Sequence, residues 1–170
     1  ITKLATAQTA LALFKIPQKK QTITEDFIVA LDGVRDPGNL GTIIRLCDWF
    51  GVKQLLCSKD TVDCYNEKVV QATMGSIARV EVIYGDLAEE ISKLDLPVFG
   101  TFMNGENIYE SSLSFKGILV LGNEANGISD EIKQLSKHQI SIPQFGETKN
   151  TESLNVATAT AILLSEFKRR

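Results

Sequence analysis

Short apolar runs alternate along the chain with stretches in which apolar residues return every three or four positions. Phe27-Ile28-Val29-Ala30-Leu31 is continuous and partly β-branched, which predicts a buried strand. Asp36-Pro37 then reads as an N-cap with proline at the first helical position. Leu40, Ile43, Ile44, Leu46, Cys47 and Phe50 supply a helical stripe that Gly51 ends. Gln54-Leu55-Leu56-Cys57 is a second strand, and Asn66 caps a helix over 67–74 that Gly75 closes. Residues 80–84 form a third strand, and Asp86 opens a helix reaching Leu94. Residues 97–101 and 118–121 are the fourth and fifth strands. Ser129-Asp130-Glu131 starts a helix whose acidic first turn suits the helix dipole. Ile140-Ser141-Ile142 is a short last strand. The final helix, over 155–168, runs into Lys168-Arg169-Arg170, again with the favourable sign.

Strand–helix alternation with short connections predicts an α/β fold, a mostly parallel sheet flanked by helices. Ligands in such folds lie beyond the carboxyl ends of the strands. The Gly- and Asn-rich segments all follow strands: 32–41, 122–127 and 143–155. Three polar loops at one sheet edge describe a site. Residues 1–22 differ: Leu11-Ala12-Leu13-Phe14 precedes Lys15, Lys19 and Lys20, as an edge strand or a linker would. The start Ile1-Thr2-Lys3 has no initiator Met, so the chain reads as a fragment with 23–170 as its domain.

Composition narrows the class. The chain has 170 residues, 44% hydrophobic and 23% charged, ordinary values for one globular domain. No apolar run approaches the roughly 18 residues of a membrane span, so no membrane partner is expected. Net charge is −3, with none of the overall basic character that marks many nucleic-acid binders. Cys47, Cys57 and Cys64 form no C-x-x-C pair and read as reduced core residues of a cytoplasmic protein. With His138 the only histidine, and solvated or capping by position, neither a metal site nor a Ser-His-Asp triad is expected.

The loops carry neither G-x-x-x-x-G-K-[ST] nor G-x-G-x-x-G after the first strand, which argues against a P-loop NTPase and an ordinary dinucleotide enzyme. Asn39 and Arg45 are six residues apart, off one face of a regular helix. An irregular first turn at Gly38 and Gly41 would bring both to one site. Arg45 then offers a fork of donors for phosphate; otherwise it is a surface helix residue. Gly122 and Gly127 permit close backbone approach around Glu124, which lies between Asn123 and Asn126 and is either a site carboxylate or a solvated turn residue. Ser153 reads as an N-cap, and Asn155 as a capping residue or a ligand contact in the first turn.

Together these segments resemble the SpoU (TrmH-like) family of RNA ribose 2′-O-methyltransferases, in the SPOUT superfamily. Asn39, Gly41 and Arg45 match its N-x-G-x-x-x-R motif. Gly122, Glu124 and Gly127 match G-x-E-x-x-G, and Ile142, Pro143 and Ser153-Leu154-Asn155-Val156-Ala157 match the third motif. The resemblance implies a C-terminal deep trefoil knot, S-adenosylmethionine as cofactor, and a homodimer whose active site uses both chains. It implies rRNA or tRNA as the RNA partner and an N-terminal RNA-binding domain upstream of 1–22. By the motif match, Thr101, Gly122, Asn123, Ile142 and Leu154 bind the cofactor, and Asn39, Arg45, Glu124, Ser153 and Asn155 form the catalytic set. The segment 144–152 is longer than in many relatives and adds Glu147, Lys149 and Glu152. A catalytically silent SpoU-like RNA-binding module is the alternative.

Overall fold

Odd and even positions of the first apolar run face opposite sides of a sheet, and both sides are dry. In the computed structural model, which describes residues 9–10, 12–17, 22–146 and 153–169, strand β1 (Phe27–Asp32) buries Phe27, Val29 and Leu31 on one face and Ile28 and Ala30 on the other. A strand covered on both faces needs no polar alternation, which is why it reads as a continuous apolar run.

Five further strands join it: β2 (Gln54–Ser58), β3 (Glu81–Gly85), β4 (Val98–Asn107), β5 (Gly117–Gly122) and β6 (His138–Ser141). The order across the sheet is β3-β2-β1-β5-β4-β6, and every pairing is parallel. Helices α1 (Pro37–Phe50), α2 (Glu67–Ala72) and α5 (Val156–Arg169) cover one face. There Ile43, Ile44, Cys47, Leu163, Leu164 and Phe167 meet the odd positions of β1. Helices α3 (Leu87–Ser92) and α4 (Asp130–Leu135) cover the other face with Leu87, Ala88, Ile91 and Ile132. The α/β class, the parallel sheet and its flanking helices thus stand as the sequence pattern predicts.

Local signals act where expected. The Asp36 side chain accepts the Asn39 N–H at 2.8 Å, Pro37 opens α1, and Gly51 ends it at φ 71°. Most boundaries shift by one or two residues, β6 for instance running over His138–Ser141 and α3 ending at Ser92, and two differences change the local structure. The 67–74 helix stops at Ala72 and continues as a 3-10 turn, Ser76–Ala78. Strand β4 runs six residues past Thr101 to Asn107. Ile140 pairs with both Thr101 and Glu106, so residues 102–105 bulge out between two contacts with the same strand. Gly105 makes this possible, because a Cβ there would lie 2.5 Å from the Ile140 carbonyl carbon. His138 begins β6 as an exposed strand residue stacked on Phe99, ring centroids 4.8 Å apart.

Residues 12–17 take no helix or strand conformation, and Leu13 and Phe14 are exposed. Leu11, Lys19, Lys20, Glu147, Lys149, Glu152 and Arg170 lie outside the described residues. Among those described, no helix is long and apolar enough to cross a membrane, and no group of three or more His, Cys, Asp or Glu is placed to hold a metal ion.

Candidate functional site

The β1 and β5 ends are level, since Asp32 pairs with Gly122, and the loops leaving them meet. The loop after β5 is a closed turn. Asn123 and Gly127 exchange two backbone hydrogen bonds of 2.9 and 2.8 Å. The Asn123 side chain organises the rest. Its carbonyl accepts the N–H groups of Ala125 and Asn126, and its amide donates to the Gly33 carbonyl at 2.6 Å. Gly33 in turn donates its N–H to the Ser58 hydroxyl, which donates to Asp60. That bond, and a second from Arg35, hold the Asp60 carboxyl below the usual carboxylate range. Gly122 has no room for a side chain, because a Cβ would overlap the backbone of Gly127 and Ile128.

Side chains from the three loops then join in one relay. Asn155 donates its amide to the Asn39 side-chain oxygen at 2.9 Å, and Asn39 donates its own amide to Glu124 at 2.6 Å. The direction is forced by chemistry. A carboxylate only accepts, so Asn39 turns its NH₂ to Glu124 and its oxygen to Asn155. Asn155 must then present its NH₂ to Asn39 and its oxygen the other way. That oxygen accepts from the Ala157 and Thr158 N–H groups at 3.0 and 3.1 Å, the bonding of a helix N-cap. Asn155, not Ser153, therefore caps α5, while Ser153 lies exposed in the preceding turn.

Beside this relay opens a cavity of about 840 Å³, within the size range of small-molecule sites. Thr101, Gly122, Asn123, Ile142 and Leu154 all line it, as do Glu124 and Ser153. Its inner wall is apolar, with Leu121, Ile140 and Leu163. No residue of the 32–41 loop lines it. The polar groups of Asn123 are largely committed to the turn, so it shapes the wall more than it offers new contacts. Unsignalled in the sequence are Phe102 and Met103, which the longer β4 brings to the rim, and Lys133, whose ammonium lies 5.8 Å from the Phe102 ring centre. The Asn104-Gly105 turn signal masks the return of that strand.

Arg45 is not with the others. Helix α1 is regular from its first turn, so the irregularity that would align Asn39 with Arg45 is absent. Six residues along a helix separate them by about 9 Å and roughly 120°. Arg45 is exposed on the solvent side of α1, outside the cavity lining, one turn before Trp49, which is 83% exposed. Gly41 serves packing: a Cβ there would meet the Ala72 Cβ at 2.5 Å, so it lets α2 approach α1.

A model of the SpoU rRNA Methylase family matches residues 26–165. The chain is 32% identical over 172 aligned residues to a Bacillus subtilis protein named 23S rRNA (guanosine(2553)-2′-O)-methyltransferase RlmP, covering 99% of this chain and 68% of that one. A solved structure of a TrmH-family protein from Porphyromonas gingivalis shares 41% identity at TM-score 0.84, over 90% of this chain and 63% of that one. A Sinorhizobium meliloti rRNA methyltransferase with bound AdoMet shares 34% identity at TM-score 0.77, over 85% and 56%. The chain thus spans between about half and two thirds of the length of these proteins.

Proposed function

Because the chain belongs to the SpoU rRNA Methylase family, we propose that it is an RNA methyltransferase acting on a ribose 2′-hydroxyl of rRNA, with S-adenosylmethionine as methyl donor. The observation that carries this reading is the meeting of all three motif loops in the Asn155–Asn39–Glu124 relay, beside a cavity lined by the whole expected cofactor set. The cavity suits this cofactor. It has volume for a nucleoside with an amino-acid tail, apolar walls for a purine, and main-chain groups near Gly122, Ile142 and Leu154 for the sugar and base edges. When bound, the cofactor supplies a sulfonium methyl group already electrophilic enough to be attacked by oxygen.

The protein's part is positioning and charge. Glu124 and Ser153, which line the cavity, and the relay behind Glu124 fix the loops around the hydroxyl. A guanidinium is a poor proton acceptor, so Arg45 is read as a clamp rather than as the base. Its guanidinium clamps the phosphate next to the target ribose and stabilises the developing alkoxide, which eases loss of the hydroxyl proton to solvent water as the oxygen takes the methyl group. Since Arg45 does not line the cavity of its own protomer, we assign it to the site of a second copy, in a homodimer whose active sites use both chains. Trp49, Leu46 and Phe50, exposed or half-buried on α1, and Leu154 are the apolar surface left for that contact. Val156, Leu163, Phe167 and Ile43 are spent in the protomer core. We also propose the trefoil knot and an upstream RNA-binding domain joined through 1–22, both as membership of the family implies. The three free, buried cysteines suit the cytoplasm.

The test is calorimetric titration with S-adenosylmethionine, then methyl transfer to rRNA from a strain lacking the gene, with the product mapped as a 2′-O-methyl ribose. Cofactor binding without transfer to any RNA favours the silent module instead. Sedimentation of only an 18.7 kDa species at micromolar concentration removes the dimer.

A further inference from the structure

Two exposed apolar side chains line the cavity on its open side, and a third stands beside one of them. Phe145 is 83% exposed and Met103 60%, and both line the cavity. Tyr109, 41% exposed, stands with its ring centre 6.3 Å from that of Phe145, tilted by 35°. Single exposed apolar residues are ordinary, but aromatic rings gathered at the opening of a site are not. A cofactor held within the cavity does not require them, because Leu121, Ile140, Ile142 and Leu163 already give an apolar enclosure further in. What must reach the mouth is the ribose that reacts. Its base is bonded to the carbon next to the one carrying the 2′-hydroxyl, so the base comes to the mouth too. Bringing one ribose to a recessed methyl group pulls its base out of the stack, and RNA-binding proteins replace lost stacking with aromatic side chains. The exposed rings elsewhere, Phe14, Trp49 on α1 and Tyr65, do not line the cavity.

The geometry points to Phe145, flanked by Tyr109 and Met103, as the platform on which the unstacked base of the target nucleotide rests. This rests on the reading of the site as an RNA ribose methyltransferase and adds the element that binds the base. Stacking accepts any base, so the platform strengthens binding of the target nucleotide without choosing its identity.

The experiment is a thermodynamic cycle on the full chain. Wild type and Phe145→Ala are compared on an rRNA fragment carrying the mapped target nucleotide and on the same fragment with that base removed. Phe145→Trp is the conservative control. Phe145→Ala is expected to lower kcat/KM on the intact fragment about 10-fold or more, mostly through KM, with S-adenosylmethionine affinity within about twofold. Phe145→Trp should restore most of the loss. On the abasic fragment wild type and Phe145→Ala should be equal. Additive losses from the two changes, or a loss confined to cofactor affinity or to the dimer population, would overturn the platform. Wild type that binds cofactor and methylates RNA while Phe145→Ala matches it would overturn the platform alone. Wild type that fails to bind S-adenosylmethionine would overturn the reading of the site first, and the platform with it.

Discussion

Two glycines in the loop after β5 separate two reasons for being glycine. Gly122 lacks space, since a side chain would enter the backbone of Gly127 and Ile128; Gly127 has open space but sits at φ +70°. Gly122→Ala should therefore lower stability by about 1–3 kcal/mol and weaken S-adenosylmethionine binding at least tenfold, because the cavity wall must move. Gly127→Ala should cost about 1–2 kcal/mol of left-handed strain and change cofactor affinity only a few-fold. Thermal unfolding and cofactor titration on both variants check this. Arg45 makes a sharper case. Arg45→Lys keeps the charge but loses the planar fork, so turnover should fall roughly 10²-fold with cofactor affinity almost unchanged. A base role predicts retained activity with the pH optimum moved toward the lysine pKa. A merely solvated residue predicts full turnover in Arg45→Ala. Single-turnover rates across pH distinguish the three.

Among the elements, α5 has a first turn with two duties on one side chain. The Asn155 oxygen caps the helix while its amide holds Asn39. Asn155→Asp keeps the cap but removes the donor, so stability should stay within about 0.5 kcal/mol while methyl transfer drops at least tenfold. Asn155→Ala loses both, with about 1 kcal/mol of stability. Helix α1 is tied at its other end. Asp48 accepts from Arg79 and from Ser76, which hold its carboxyl below the usual range, Arg79 having the larger effect. A carboxyl depressed in the folded state stabilises above its unfolded pKa of about 3.9, and that stabilisation fades as pH falls through the folded value. Asp48→Asn should therefore be less stable than wild type at neutral pH, with the gap closing under acid; denaturation curves between those conditions test it.

Element order was legible because the central strands β1 and β5 hold unbroken apolar runs and α1, α2 and α3 each carry a side-chain cap. The return of β4 was not, because pairing with β6 across a bulge depends on Gly105 meeting Ile140, a contact between distant segments. The relay was legible only as motif order. Nothing local in the sequence shows that Asn39 bonds to residues 85 and 116 positions away. Nor can spacing reveal that α1 stays regular and turns Arg45 outward.

For the molecule as a whole, the proposed function sets a net charge of −3 against a polyanionic substrate. Phosphate contacts then depend on a local set of exposed cations such as Arg45, Arg35 and Lys133. The KM of this chain for RNA should rise steeply between 50 and 200 mM salt, as counterion release requires. A KM independent of salt would contradict the assignment of phosphate binding to those side chains. The span of the relay has a consequence in time. Ribosomes add about 5–20 residues per second, so residues 116 positions apart are made roughly 6–23 s apart. Through that interval the growing polypeptide holds Asn39 and gains strands β2 to β6 in turn, yet has no Asn155 to complete the relay. If the proposed function holds, the protein is thus born on a particle built of its own substrate. Until Asn155 has been added and α5 has docked, it has no assembled site with which to modify its birthplace.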